Sequence, residues 1–298
     1  MSKISVVGSI NVDLVVKTKK RPLKGETVFG DKFSVKPGGK GANQAVAIAR
    51  LGGKVKMFGC IGDDIYSNIM IENLKKNNVN TENIKSIKNT STGVASITVS
   101  ENDNSIIVVK GANEYVDLNY IKSVEDEILK SDLVLMQYEI PIETVEYIVE
   151  LCYKNNIITV VNPAPIKKID VKVFGMVNYM TPNEHEALKM FQEIEDIEEL
   201  LKKYPEKIIV TLGEKGVIYH DGASIKKIEA NKNLNIVDTT GAGDTFSGAF
   251  VKAISEKMKI EEAVKFAQFA SGMSIEKFGA QEGMPTLKEL TERMKNNK

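Results

Sequence analysis

The stretch that most constrains this chain is Asp238-Thr239-Thr240-Gly241-Ala242-Gly243-Asp244-Thr245. It follows the β-leaning residues Leu234 to Val237 and runs into Phe246, Ala249, Phe250, Ala253 and Ile254, whose spacing sets them on one helical face. The pattern predicts a helix beginning at or just after the glycines, with its unpaired N–H groups turned back into the loop. Small residues let a ligand come close to that backbone, and free amides at a helix start favour an anion. A phosphate suits the place. Asp244, in the first turn, is positioned to accept a proton from a hydroxyl attacking such a phosphate. An ordinary strand-to-helix turn capped by Asp244 fits the same residues, so the rest of the chain has to decide.

Composition narrows the options. Forty basic and forty acidic side chains cancel, and without a basic run there is no electrostatic footprint for nucleic acid. No apolar run approaches membrane-spanning length, and Asn11 and Asp13 interrupt the N-terminal apolar stretch, so a cytoplasmic protein without a membrane partner is expected. Cys60 and Cys152 lie far apart in apolar contexts, which predicts buried free thiols. His185 and His220 are the only histidines, which leaves carboxylates, lysines and backbone amides for the chemistry.

Taken in order, Lys3 to Gly8 reads as a buried parallel strand, and Asn11 and Asp13 alternate with Val12 and Leu14 so that a strand there puts both polar groups on one face. They could bracket a polyol or simply meet solvent. Glu26 to Val35 predicts another strand, ending in Gly38-Gly39-Lys40-Gly41-Ala42-Asn43-Gln44 before a helix through Ala45, Ala49 and Leu51. The glycines clear space beside Lys40 and Asn43. This is not a Walker loop: Ser34 stands at the required glycine, and no Ser or Thr follows Lys40. Nor is Gly241-Ala242-Gly243 a dinucleotide fingerprint, since Phe246 replaces its third glycine.

Val55 to Cys60 predicts a strand and Ile65 to Lys76 a helix, and then the pattern changes. Gly93 to Ser100 and Ser105 to Lys110 read as a hairpin turning at Glu101 to Asn104. A hairpin inside a βα series predicts a small accessory sheet, shared with residues 12–35, that could act as a lid. Beyond Asp132, predicted strands end just before Glu139, Asn162, Asn183, and Thr211 with Gly213, on the strand edge where open α/β sheets bind ligands. Lys75 to Asn78 and the tail from Asn296 to Lys298 read as solvated ends.

These residues resemble the ribokinase family of carbohydrate kinases: Gly38 to Ala45 looks like its N-terminal glycine-rich signature and Asp238 to Val251 like its C-terminal one. Further matching blocks are Met136-Gln137-Tyr138-Glu139, Asn162-Pro163-Ala164-Pro165 and Thr181-Pro182-Asn183-Glu184. The resemblance spans nearly the whole chain, residues 1–298, and implies a single doubly wound three-layer α/β/α sandwich with a small β lid from about 11–36 and 92–111. The activity it implies is ATP-dependent phosphorylation of the 5-hydroxyl of ribose. The alternatives are another small sugar or a nucleoside as acceptor, or a non-catalytic sugar or nucleotide sensor, against which the intact Asp244 speaks.

The resemblance also carries roles over by position. Asn11, Asp13, Gly39, Lys40, Gly41, Asn43 and Glu139 would hold the sugar; Asp244 would be the base; Gly241, Ala242 and Gly243 would steady the moving phosphoryl group. Asn183, Thr211, Gly213, Glu214, Gly216 and Gly243 would contact ATP, and Glu186 would organise Mg²⁺ through water. A monovalent cation, K⁺, would sit among Asp238, Thr240, Ser274, Lys277, Gly279 and Gly283, chiefly on backbone carbonyls. Gly283 stands where the family carries a hydroxyl, and Gln268 where a histidine often borders the adenine. The family further implies a homodimer joined through the lid strands.

Overall fold

A computed structural model describes residues 2–101, 103–232 and 234–296. Asn102 of the expected turn and the last two residues of the tail lie outside the described residues. The chain opens with β1 (Lys3–Val7), β2 (Asn11–Lys17), β3 (Lys32–Gly38), α1 (Lys40–Arg50), β4 (Lys54–Gly62), α2 (Ile65–Lys76), β5 (Asn80–Ile87), β6 (Gly93–Ser100) and β7 (Asp103–Val109). It continues through α3 (Leu118–Ile128), β8 (Leu133–Gln137), α4 (Ile142–Lys154), β9 (Ile158–Asn162), α5 (Val171–Met176), β10 (Tyr179–Met180), α6 (Glu184–Met190) and α7 (Ile197–Lys203). β11 (Ile209–Thr211), β12 (Val217–His220), β13 (Ile225–Ile228), α8 (Ala242–Ser255), α9 (Ile260–Ser274) and α10 (Leu287–Asn296) complete it.

Six parallel strands form the central sheet in the order β10-β9-β8-β1-β4-β5. Parallel bridges Met180 to Ile208 and Asn183 to Thr211 continue it into the antiparallel β11-β12-β13 ribbon. The inner strands β1, β8 and β9 are buried on both faces because their alternate residues feed two cores. Leu133 and Leu135 join the layer of α1, α8 and α9, whereas Val134 and Met136 join the layer of α3 and α4. That double burial makes the sandwich. From β1 the chain winds outward through β4 and β5, and from β8 outward the other way, so the order reverses between β1 and β8. Ligands bind at such a switch point, beyond the carboxyl ends of the strands.

A separate four-stranded sheet, β3-β2-β6-β7, stands beyond that edge. β2 pairs in parallel with β6 and antiparallel with β3, and β6 and β7 form the predicted hairpin, which turns more tightly than the sequence suggests. Two expectations are corrected. The strand expected over 26–35 runs Lys32–Gly38, because residues 20–31 form turns and open loop and only the stretch beside β2 finds a partner. Leu234 to Val237 form no strand: Val237 and Asp238 instead donate to the carbonyl of Ile275 at the end of α9. β5, mostly polar, gave no strand signal and forms by parallel pairing with β4. Cys60 and Cys152 are buried and free.

Candidate active site

The linker between β1 and β2 and the start of α1 meet at the switch point. Gly39 begins α1 with φ 88°, a backbone state that glycine takes without strain. A Cβ on Gly39 would stand 2.6 Å from the Asn11 nitrogen, and one on Gly41 2.6 Å from the Ser9 nitrogen. The glycines therefore seat the loop against the backbone of residues 8–11, a tighter packing role than clearing space for Lys40. The seat is locked by Glu139, whose Oε2 accepts from the Ser9 hydroxyl and from the Lys40 backbone N–H at 3.0 Å, while Ser9 Oγ accepts from the Gly41 N–H at 3.2 Å.

Asp244 lies at the third position of α8, 6% exposed. Gly241, with φ 79°, turns the chain into that helix, and a Cβ on Gly243 would meet nothing within 4 Å, while the Ala242 N–H donates to the Thr239 carbonyl at 3.2 Å. Both carboxylate oxygens of Asp244 accept a hydrogen bond: Oδ2 from Asn43 Nδ2 and Oδ1 from Gln44 Nε2, each at 2.9 Å. Gln44 in turn accepts from Gln137 Nε2 at 2.7 Å and donates to Asn162 Oδ1 at 3.2 Å. Asn162 donates to the Thr181 carbonyl at 2.9 Å. Two helix N-termini and two strand ends thus converge on one carboxylate.

The charges form one field. Burial works against the Lys40 ammonium, but Asp244, Glu139 and Glu186 outweigh it and raise its pKa. Asp13 is pushed up to about 7 by burial first, then by Glu139, Asp244 and Glu282. Burial also raises Glu186, against the hydrogen bond from Asn183 and the pull of Lys40. Asn11, on the same face of β2 as Asp13, is buried with its Oδ1 accepting from Asn113 Nδ2 at 2.7 Å, which leaves its own amide hydrogens to donate.

The remaining expected positions fall into two groups. Asn183 caps α6: its Oδ1 accepts from the Glu186 N–H and Glu186 Oε2 accepts from the Asn183 N–H, both at 2.8 Å. Thr211 is tied to Pro182, and Gly213, Glu214 and Gly216 form the short turn into β12, so this row lies along the strand edge beside α6. In the second group, Asp238 Oδ1 accepts from the Thr240 N–H and Oδ2 from the Gly279 N–H, each at 2.9 Å, clasping the loop before α8 to the loop after α9. Those bonds hold the Asp238 carboxyl below its usual range, although burial opposes them. A Cβ on Gly283 would lie 2.0 Å from the Ser274 carbonyl oxygen, so this loop has no room for the hydroxyl side chain the family pattern suggests. Lys277 extends toward Glu289, 3.8 Å away, which leaves only its backbone to face the loop. Gln268 is buried in α9.

A model of the pfkB family of carbohydrate kinases matches residues 1–287. The chain belongs to the pfkB family. A ribokinase of Lactococcus lactis is 47% identical, with 99% of this chain and 98% of that one covered. The structure of a ribokinase from Thermotoga maritima superposes with a TM-score of 0.90 at 37% identity, covering 99% of this chain and 100% of that one. An Arabidopsis thaliana ribokinase complexed with ribose and ATP gives a TM-score of 0.89 at 28% identity, with 99% of each chain covered. Membership of the pfkB family makes this chain a phosphotransferase acting on an alcohol group. Gln137 lies inside a matching block without a role of its own, and the residues that sequence reasoning passed over are Ser9, Asn113 and Gln281. Of these, Ser9 adjoins residues already singled out. Nothing local marks Asn113 or Gln281, which reach the site from distant segments.

Proposed function

We propose that the protein transfers the γ-phosphoryl group of ATP to the 5-hydroxyl of ribose, giving ribose 5-phosphate and ADP. The observation that carries this reading is a buried Asp244 at the amino end of α8, bonded by Asn43 and close enough to Lys40 and to Asp13 of the small sheet to shift both, as Glu139 also does. Asn11, Asp13, Gly39 to Gly41, Asn43 and Glu139 orient the sugar. Alignment of the attacking hydroxyl is worth roughly 7 to 11 kcal/mol of barrier. Asp244 takes the hydroxyl proton as the new P–O bond forms and the β,γ-bridging bond breaks, with the electron pair leaving on ADP. The amides of Gly241 and Gly243 meet the developing charge, at about 3 kcal/mol for a good donor, whereas the Ala242 N–H, expected to join them, already donates to the Thr239 carbonyl. Asn183 and the Thr211 to Gly216 turn line the nucleotide. Glu186 fits a hydrated Mg²⁺, because its Oε2 is taken by the Asn183 N–H and its other oxygen is left for a water; the ion would neutralise the phosphates. A coupled ADP-release assay over ribose, deoxyribose, fructose and adenosine tests the acceptor, and turnover highest on any acceptor but ribose would replace it.

The loops clasped by Asp238 are read as a K⁺ site built of carbonyls, since both oxygens of that carboxylate are already engaged by amides. Replacing Na⁺ by K⁺ is expected to raise kcat severalfold and to raise the melting temperature of the ATP-free protein. Identical values in both salts would remove the site.

The small sheet is read as a lid that also joins two copies. Val16, Phe33, Ile107 and Val109 share one face of it by register, with Phe33 60% and Ile107 70% exposed. Such an apolar face asks for a partner. Ile107→Asp is expected to shift a dimer to monomer in analytical ultracentrifugation and to raise the sugar KM. A wild-type chain that sediments as a monomer at all concentrations would refute the joint.

A further inference from the structure

The Asp244 carboxylate stands at the end of a chain of side-chain amides that starts at Arg50, the last residue of α1. Arg50 Nε donates to Asn77 Oδ1 at 2.8 Å. Asn77 Nδ2 donates to the main-chain carbonyl of Asn73 at 2.9 Å and lies 3.5 Å from its Oδ1. Asn73 Nδ2 donates to Gln281 Oε1 at 2.7 Å, and Gln281 Nε2 donates to Asn43 Oδ1 at 2.9 Å. Asn43 Nδ2 then donates to Asp244. The two ends fix the direction, because a guanidinium can only donate and an ionised carboxylate can only accept. From the carboxylate end, Asn43, Gln281 and Asn73 each turn the NH₂ toward Asp244, while at the other end Asn77, oriented by Arg50, bonds chiefly to the main chain of Asn73. Arg50 also donates through Nη1 to the carbonyls of Gln281 and Met284, at 2.5 and 3.0 Å, so it holds the segment that carries Gln281. Gln281 is 2% exposed, and its side-chain oxygen accepts from Asn73 while its nitrogen donates to Asn43.

We infer that Gln281 is a positioning residue for phosphoryl transfer: by donating to Asn43 Oδ1 it holds the far end of the Asn43 amide and so reinforces the N–H that Asn43 presents to Asp244. The inference rests on Asp244 being the base. The acceptor-only carboxylate already favours this sense of the Asn43 amide, and the Gln281 donor holds its other end. The reversed form would set oxygen against oxygen at the carboxylate and NH₂ against NH₂ at Gln281, so the two contacts together keep a donor on the base. Gln281 makes its contribution from a segment that need not touch either substrate.

The decisive variant is Gln281→Glu, which keeps the length of the side chain and the acceptor for Asn73 but replaces the donor facing Asn43 with an acceptor. At pH 8 it is expected to lower kcat by about tenfold or more, the usual worth of a hydrogen bond to a charged group, with ribose and ATP KM within about threefold. The acidic limb of the kcat–pH profile should move up by about one unit. Asn73→Asp, on α2 and away from the cleft, puts an acceptor against Gln281 Oε1 and should reproduce the same signature by reversing the relay one step earlier. Gln281→Met, which only removes the polar group, should lower kcat less and leave the limb in place. Wild-type kcat and pH profile in both Gln281→Glu and Asn73→Asp would overturn the inference, as would equal losses in Gln281→Glu and Gln281→Met without movement of the limb. Asp244→Asn assayed alongside separates the two readings. If it stays fast, the base assignment falls and the relay with it. If it alone is slow, only the relay falls.

Discussion

Asp244→Asn is expected to fold, to bind ribose and ATP within a few-fold of the parent, and to lose about 10² to 10⁴ in kcat, the usual contribution of a positioned general base. The structure sets what the substitution does locally. Asn43 and Gln44 each donate to a different carboxylate oxygen, so an amide at this position can satisfy one of them and must turn its own NH₂ toward the other. That mismatch of donors in a buried site costs about 1 to 3 kcal/mol of stability, which a chain of this size tolerates. The helix start is untouched, because Gly241 sets the turn and the Thr245 N–H and hydroxyl bond back to its carbonyl at 2.8 and 2.9 Å. Isothermal titration with each ligand and a coupled assay of ADP release separate binding from turnover. A kcat within about tenfold of the parent, with the fold intact, would show that the hydroxyl proton leaves by another route.

The elements that were legible in the sequence are those whose residues answer to local forces. β1, β8 and β9 are short apolar runs buried on both faces, α1 and α8 follow glycine punctuation, and Asn11 with Asp13 falls on one face of β2 through strict alternation. The polar residues at strand ends marked the binding edge for the same reason: the sheet is wound outward from β1 and β8, and whatever follows a strand there lands on one rim. What was illegible depends on distant partners. β5 is a strand only because β4 offers an edge, and Leu234 to Val237 stays out of any sheet because Ile275 offers its carbonyl instead. The Asn-x-x-Glu spacing of Asn183 and Glu186 is accounted for by a reciprocal helix cap, so spacing alone could not tell a nucleotide contact from a structural one. Gln281 lies 238 residues from the Asn43 it orients, and no periodicity or motif relates two such positions.

Asp13 should show the largest conflict between stability and binding in this chain. Its carboxylate sits against Gly38, where a Cβ would come within 2.2 Å of Oδ1, and faces the fields of Glu139, Asp244 and Glu282. Burial and those neighbours raise its pKa from the ordinary 3.8 to about 7. The sign follows from proton linkage. Between those values the folded protein holds a proton that the unfolded chain releases, so stability from this group is full below about pH 4, declines as pH rises through the window, and is gone above about 7. At about 1.4 kcal/mol per unit the swing is at most about 4 kcal/mol, reduced by whatever water reaches the half-buried group. Asp13→Asn removes that loss and is expected to raise the melting temperature of the sugar-free protein at pH 8 by roughly 5 °C, by about a third of that at pH 5, and hardly at all at pH 4. Ribose binding moves the opposite way. Sugar hydroxyls donate best to the ionised form, so wild-type affinity should climb toward tenfold per pH unit from 5.5 to 7 and then level off. In Asp13→Asn it should be lower by about tenfold or more at pH 8 and flat across the range, because an uncharged acceptor replaces a charged one. Calorimetric titration of ribose from pH 5.5 to 8.5, set beside thermal melts of both proteins, reads both halves at once. If the wild-type affinity does not vary with pH, or the variant keeps the same slope, the carboxylate that titrates near neutrality is not the one that holds the sugar.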